Sequence, residues 1–459
     1  MAFVWVFSFL SGGALASITV CDPSNVIPPV EWASDNALSA NYNVPFISTQ
    51  PSPLLAAHYF DGDNKTSLNH VTLSVDKNDT SVISVSDGSS LDLNYADIVK
   101  FGYSSNLLTA SFYGFNAAIN VANASTASLD HINITTHNGA ANVYAYGTDT
   151  VVHVNNAWLY SSGPVSHGLY ASGNGTIIGR NIEHFSGGYR SSSFSGDSPK
   201  GTIYVYDAVA HTQGIGSATF YALGDIFAHN VLSLNENAPV MFMDGVQNAT
   251  LVNCNNTAGL LGGTVMFSSA TRQTGGSLKL INSHLNIIDK TAPALWFGNT
   301  IATAVVESSK LNTMSGILVV ANYSQVTQAF DYYASYVDNP DLLPAEATVK
   351  VSESELEGDL VAYNESSITF ALSSYSSWTG MAKSGYGKAY FDVSLDKTSK
   401  WTMTGDTTVQ NLTDQDTELS NIYSQGHTLY YNSSAVLSKW LKGKTISLSG
   451  GGKATPIAH

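Results

Sequence analysis

Cysteine is almost missing from this chain. Its 459 residues include two, Cys21 and Cys254, too few for a disulfide scaffold. Charged residues make up only 12%, and acidic side chains outnumber basic ones, 35 Asp and Glu against 19 Lys and Arg. The resulting net charge of −16 argues against nucleic acid and anionic membranes as partners. No internal stretch reaches the roughly 18 uninterrupted apolar residues of a membrane span. No CxxC, HExxH or clustered His/Cys spacing is present, so no metal site is expected. The glycine-rich run at 214–218 lacks the lysine and the strand–helix setting of a phosphate loop. No cofactor is therefore expected.

What is present is repetition. Six segments align without gaps: TVVHVNN from Thr150, TIIGRNI from Thr176, TIYVYDA from Thr202, DIFAHNV from Asp225, NATLVNC from Asn248 and SLKLINS from Ser277. Each carries Asn or Asp at one place: Asn155, Asn181, Asp207, Asn230, Asn253 and Asn282. Looser copies follow at 302–311 and 348–357. Four residues before the Asn/Asp stand Val151, Ile177, Ile203, Ile226, Ala249 and Leu278; two before it stand His153, Gly179, Val205, Ala228, Leu251 and Leu280. Both columns are mostly aliphatic or small and lie two apart, as inward side chains of a strand must. The units leave no room for an amphipathic helix of ordinary length. The chain thus reads as all-β, a single-domain parallel β-helix in which each coil buries its apolar edge on the next. Right-handed crossovers are the default. The Asn/Asp column reads as an amide ladder at a bend, with ordinary turn asparagines as the alternative.

Around this core the organisation follows. Residues 3–10 are apolar and Ala14-Leu15-Ala16 is a small-x-small site, so 1–16 reads as a signal peptide and the chain as bound for the secretory pathway. Eleven N-x-S/T sequons agree with this: Asn64, Asn78, Asn123, Asn133, Asn174, Asn248, Asn255, Asn322, Asn364, Asn411 and Asn432. Residues 17–60, rich in proline, read as a leader covering the first coil. The β-helix spans 61–405, with a loop insertion near 323–344. Residues 406–459 read as closing strands and a loosely held tail. Cys254 reads as a buried thiol, with a bridge to Cys21 as the alternative.

Polar chemistry gathers in the regular coils. All three arginines, Arg180, Arg190 and Arg272, lie there, as do eight of twelve histidines. The outward positions of the aligned strand carry Arg180, Tyr204, Tyr206, Phe227 and His229, too aromatic a set for plain solvent. Loop cover, a ligand groove and a subunit contact are all open. Glycine-rich links bring His167, Tyr170, Arg190, Asp197, His211, Tyr221 and Arg272 onto neighbouring turns. A hydrolytic triad of His167, Ser217 and Asp197 or Asp244 lacks a nucleophile elbow. The N-T-D, G-H-G and R-x-K triplets of β-helix hydrolases are missing. Asp197, Asp207, Asp225 and Asp244 are candidate glycosidase carboxylates by location only.

The stretches SHGLYASGNGT, GGYRSSSFSGDSP, VAHTQGIGSATFYALG, VMFMDG, TAGLLGG, ALWFGN and GILVVANYSQVTQ resemble a family of secreted fungal β-helix glycoproteins. The chain is also similar to the fungal hetero-Diels–Alderases of tropolonic sesquiterpene biosynthesis. That resemblance implies a cofactor-independent pericyclase joining a tropolone o-quinone methide to a humulene-type alkene, both hydrophobic small molecules. Such a reaction needs an aromatic-lined cavity that holds two partners in reacting geometry and a donor to polarise the enone oxygen. On this reading Arg180, Arg190, Tyr206, His229 and Arg272 are the catalytic candidates. Tyr204, Tyr221, Phe227, Met243 and Trp296 line the pocket, the strand face forming one wall and the loops with Arg190, Tyr221 and Arg272 the rim. The alternatives are a non-catalytic wall or carbohydrate-binding glycoprotein, and a polysaccharide lyase or hydrolase.

Overall fold

The repeats are the coils of a solenoid. The computed structural model describes residues 54–457 except 140, 324, 327–332 and 335–341, and also places 36, 37, 44 and 45. The chain is a parallel β-solenoid of about fifteen turns. A central coil has one long strand and one short one: Thr176–Ser186 then Phe194–Gly196, Thr202–Thr212 then Phe220–Ala222, Asp225–Asn235 then Met241–Asp244. The short strands belong to a single thirteen-stranded sheet. The long strands are bent, because the sixth residue sits in the left-handed region: Asn181 at φ 53°, Asp207 at 56°, Asn230 at 58°. Asparagine and aspartate tolerate that conformation better than most side chains. The bend divides each long strand into a first and a second limb, so a coil has three walls around one bore. Ile177, Ile203, Ile226, Ala249 and Leu278 register directly on one another in that bore, and all are buried.

The first of the six aligned units is out of step by one residue. Arg180 pairs with Asn155, and Ile177 with Val152. Val152, Val154 and Ala157 therefore fill the bore, while His153 points out. The bend residue of this coil is Asn156, at φ 49°. A one-residue slip in a period-two strand exchanges inside for outside, and three apolar residues inside outweigh Val151 and His153.

The amide ladder exists in pieces. Asn181 donates to Asn156 Oδ1 (3.0 Å), which donates to Asp130 Oδ1 (2.8 Å). Asn230 donates to Asp207 (2.6 Å), and Asn282 to Asn253 (2.6 Å). Each rung donates toward the preceding coil. A carboxylate only accepts, so the ladder restarts at Asp207. Asn253 donates to His229 Nε2 (3.0 Å) instead of Asn230. In earlier coils rings replace amides at the same bend. His70, Tyr95 and His131 all have φ 51° and stack at 4.9 and 4.8 Å. A serine ladder runs beside the later bends, where Ser283, Ser309 and Ser354 each accept a backbone N–H from the coil before (3.0, 2.9 and 3.0 Å).

The glycine-rich links follow from the coil spacing. A Cβ on Gly214 would lie 1.7 Å from the Gly188 carbonyl oxygen, and one on Gly188 2.0 Å from that of Gly163. Backbone there packs directly on backbone.

Four features depart from a plain stack. A helix, Leu107–Tyr113, is capped by the Asn106 side chain at one end and by left-handed Gly114 at the other. It lies against the outside of the short-strand wall. The insertion opens after Asn322 and closes at Ala345, whose N–H donates to the Asn322 carbonyl (3.2 Å). Within it Gln325–Val326 pairs antiparallel with Tyr333–Ala334. The leader touches the flank of the middle coils, not only an end. Asn36 donates to the Gly187 carbonyl (3.1 Å) and accepts from the Tyr189 N–H (2.8 Å), and Asn106 donates to the Pro45 carbonyl (2.9 Å). The leader's last residues, Ala56–Phe60, are already a strand of the short-strand sheet, paired with Ser81–Val85; residues 17–35, 38–43 and 46–53, with Cys21, and the signal-peptide reading lie outside the described residues. The tail is not loose: Lys453–Ile457 pairs in parallel with Thr428–Asn432. Cys254 is a free, buried thiol, pushed up to about 11 by burial.

Candidate functional site

The ten site residues read from the sequence fall on different walls. Arg180, Tyr204, Tyr206, Phe227 and His229 do come together on the outside of the first limb. The Arg180 guanidinium sits 4.2 Å over the Tyr206 ring. Tyr206 lies 5.8 Å from Phe227 and 6.4 Å from His229, and Tyr204 6.3 Å from Phe227. This strip is open, with Tyr204 38% exposed. Arg190 sits in the turn between second limb and short strand, at φ 54°. Arg272 sits in the turn that leads from short strand to the next first limb. Its Nη1 donates to the Pro344 carbonyl (2.7 Å) and to Glu346 Oε1 (3.2 Å), so it clasps the chain where the insertion re-enters. Met243 points into the bore. Tyr221 and Trp296 are on the outside of the short-strand wall.

That wall carries a second hydrophobic cluster, separate from the bore. Phe242, Val265, Trp296 and Val320 are buried in it, with Tyr221 and Leu261 packed alongside. Strand alternation explains the pairing of opposites: Met241 and Met243 fill the bore, so Phe242 between them faces out. Beside the cluster opens a cavity of about 310 Å³, lined by Leu260, Leu261, Ala292, Pro293, Trp296 and Val320, with Asp289, Thr291 and Asn322 as its polar members. Asp289 shapes its mouth, accepting from the Leu261 N–H (3.3 Å) and from the Thr291 N–H and hydroxyl (2.8 Å each).

Towards the preceding coils the same surface turns polar. Tyr144, Tyr170, Ser195 and Tyr221 succeed one another in register. Asp197 is 2% exposed. It accepts from the Tyr170 hydroxyl, from Ser111 Oγ (3.1 Å) and from the Ser198 N–H (2.7 Å). Burial pushes its carboxyl up to about 6 against these donors, with nearby Asp244 adding to the rise. Burial and the Asp197 charge hold the Tyr170 and Tyr144 phenols well above their ordinary range.

His167 closes this end without acting as a base. Its Nδ1 accepts from the Ser192 N–H (3.0 Å) and from Ser195 Oγ (2.9 Å). An acceptor Nδ1 leaves the neutral ring protonated at Nε2. Burial drives its pKa down to about 3, which makes the ring a weak base at neutral pH. Ser217 is elsewhere, donating to the Gly188 carbonyl (2.6 Å). The triad drawn from the sequence is therefore not assembled. Among the described residues no three His, Cys, Asp or Glu side chains converge as metal ligands, and no helix is long and apolar enough to cross a membrane.

Of the sequons, Asn64, Asn78, Asn123, Asn174, Asn248 and Asn364 are exposed, and Asn133, Asn255 and Asn411 half-buried. Asn322 and Asn432 are buried, and Asn432 gives its amide to Gln410 (3.2 Å). Sequence reasoning had no place for Ser111, Tyr144, Phe242 or Val265. The usable signals were the alternation in VMFMD and the Asn106 and Gly114 caps that bracket a helix.

Comparison of the chain with known protein families, with curated proteins and with solved structures finds no match.

Proposed function

We propose that the outside of the short-strand wall binds an apolar small molecule bearing a hydrogen-bonding oxygen. We further propose that the chemistry there is the hetero-Diels–Alder cycloaddition of a tropolone o-quinone methide with a humulene-type sesquiterpene. The carrying observation is the buried Phe242, Val265, Trp296 and Val320 cluster beside a cavity of about 310 Å³. That volume is at the lower end of ligand pockets, about 300 to 1,000 Å³, and suits one apolar partner held against its mouth by a second. Cycloaddition moves electrons in one step and asks for confinement rather than for a nucleophile. The neutral His167–Ser195 pair fits that demand better than it fits acyl transfer. Asn322, a polar member of the cavity lining, would supply the hydrogen bond that polarises a carbonyl.

Trp296→Ala tests the site. Removing a buried indole should weaken binding of an apolar alkene by roughly 10- to 100-fold. Ligand-induced change in fluorescence and turnover of the mixed substrates, run in chelator, read it out. Unchanged affinity and turnover in a folded variant would place the site elsewhere.

A second reading, glycan binding without catalysis, draws on the open Tyr204, Tyr206, Phe227 and Arg180 strip. Retention on insoluble wall glycans, with no cycloadduct formed, would favour it. Either reading is compatible with passage through the secretory pathway. Exposed Asn174 and Asn248 are the expected glycan sites. Loss of mass on glycosidase treatment of protein from a fungal host should follow, and an unchanged mass would count against that route.

A further inference from the structure

We propose that the helix Leu107–Tyr113 is an acid-tightened strap across the polar end of the short-strand wall, loosened when Asp197 ionises. The proposal holds whether or not the neighbouring surface binds the ligand named above. The helix is seven residues long, too short to be stable alone, so its place depends on what fastens it. Its fasteners are side chains of the wall. Tyr144 donates to the Ser111 carbonyl and Ser172 to the Phe112 carbonyl (both 2.6 Å). Asn120 donates to the carbonyls of Tyr113 (3.2 Å) and Gly114 (3.1 Å). In the other direction Ser111 Oγ donates to Asp197 and lies 2.6 Å from the Tyr170 hydroxyl.

Asp197 is the group in this set that titrates near neutrality. The titratable groups around it are Tyr170 on the strand Leu169–Ser172 one coil before, Tyr144 and Tyr146 on the strand Val143–Tyr146, Tyr113 on the helix, His167, and Asp244 two coils on. Tyr144 and Tyr170 stay protonated well above neutrality. His167 is neutral above its pKa of about 3. Asp244 adds like charge. Among the described residues no Lys, Arg or His forms an ion pair with Asp197. An ionised carboxylate here is buried without a cation, and water is its better solvent. Lifting the helix off would supply that water. The carboxyl titrates at about 6 when docked, against 3.8 ordinarily. Docking is therefore fully stabilised in acid and loses stability as pH rises from about 4 through about 6.

Amide hydrogen exchange of peptides covering 107–113, corrected for the chemical exchange rate, tests this on the full chain. Opening should increase about tenfold between pH 5 and pH 8. Asp197→Asn, isosteric and uncharged, should remove the increase. Tyr170→Phe keeps the carboxyl but takes one donor from its ionised form, so the increase should continue to higher pH. A flat wild-type profile, or a tenfold rise retained in Asp197→Asn, overturns the strap. If Asp197→Asn does not fold, an unmoved profile in Tyr170→Phe overturns it.

Discussion

Ile203→Asp is expected to yield no folded protein. Ile203 has no solvent exposure and stands directly between Ile177 and Ile226 in the bore. A carboxylate there would enter the apolar bore. An unpaired buried charge costs several kcal/mol, against a total stability of about 5 to 15 kcal/mol for an ordinary domain. The damage is also shared, because a coil buries its edge only against its neighbours. The adjacent Tyr204→Asp is the control: it changes the outside of the same strand and should cost roughly 1 kcal/mol or less. Far-ultraviolet circular dichroism and soluble yield decide the matter. A cooperative melt near the wild-type temperature in Ile203→Asp would mean that this column is not the core.

His184 should make the protein acid-sensitive in a way that one substitution exposes. The ring is buried between Ser193 Oγ (2.8 Å from Nδ1) and Ser161 Oγ (3.2 Å from Nε2). Burial lowers its pKa from 6.5 to about 3. The folded protein thus keeps it neutral, while the unfolded chain takes up a proton below pH 6.5. Its contribution is fully present above that pH and is lost as pH falls toward 3. For one group the loss between pH 8 and pH 4 is about 3 kcal/mol. Asp197, with its raised pKa, acts in the opposite sense over pH 4 to 6, and buried His167 acts in the same sense as His184, so the absolute profile mixes several groups. The difference between wild type and His184→Gln isolates the histidine. The unfolding free energy of the wild type relative to His184→Gln, from urea titration, should fall by about 3 kcal/mol as pH is lowered from 8 to 4. Parallel profiles would show that His184 is protonated in place.

What could be read from the sequence was whatever repeats within a strand. The Ile177, Ile203, Ile226 column is legible because alternation is local and survives steps that vary between 23 and 26 residues. The early strands lacked aligned asparagines, yet alternation alone reads coils at Ser67–Val75 and Leu91–Phe101, inside the strands Lys65–Asp76 and Ser90–Phe101. The slip at Asn156 arose because two adjacent asparagines both fit the column, and only the side facing the bore separates them. The candidate site was less legible for a different reason. A strand pattern says which residues face out, but the turns decide which wall they face out from. Arg180 and Tyr221 are near in sequence and both outward, yet they lie on different walls. The polar end was invisible because Ser111 reaches Asp197 across 86 residues, from a helix that interrupts the repeat.

The insertion leaves the solenoid after Asn322 and comes back beside it, where Ala345 N–H donates to the Asn322 carbonyl. Its two ends are already neighbours, so the ladder on either side is continuous without it. The cost of closing a flexible loop grows only slowly with length. The segment is thus a graft site. A lineage can lengthen, shorten or exchange the sequence that follows Asn322, itself part of the cavity lining, without renegotiating the register of a single coil. In this architecture the stacked rungs carry the shape, and the sequence between 322 and 345 can change without them.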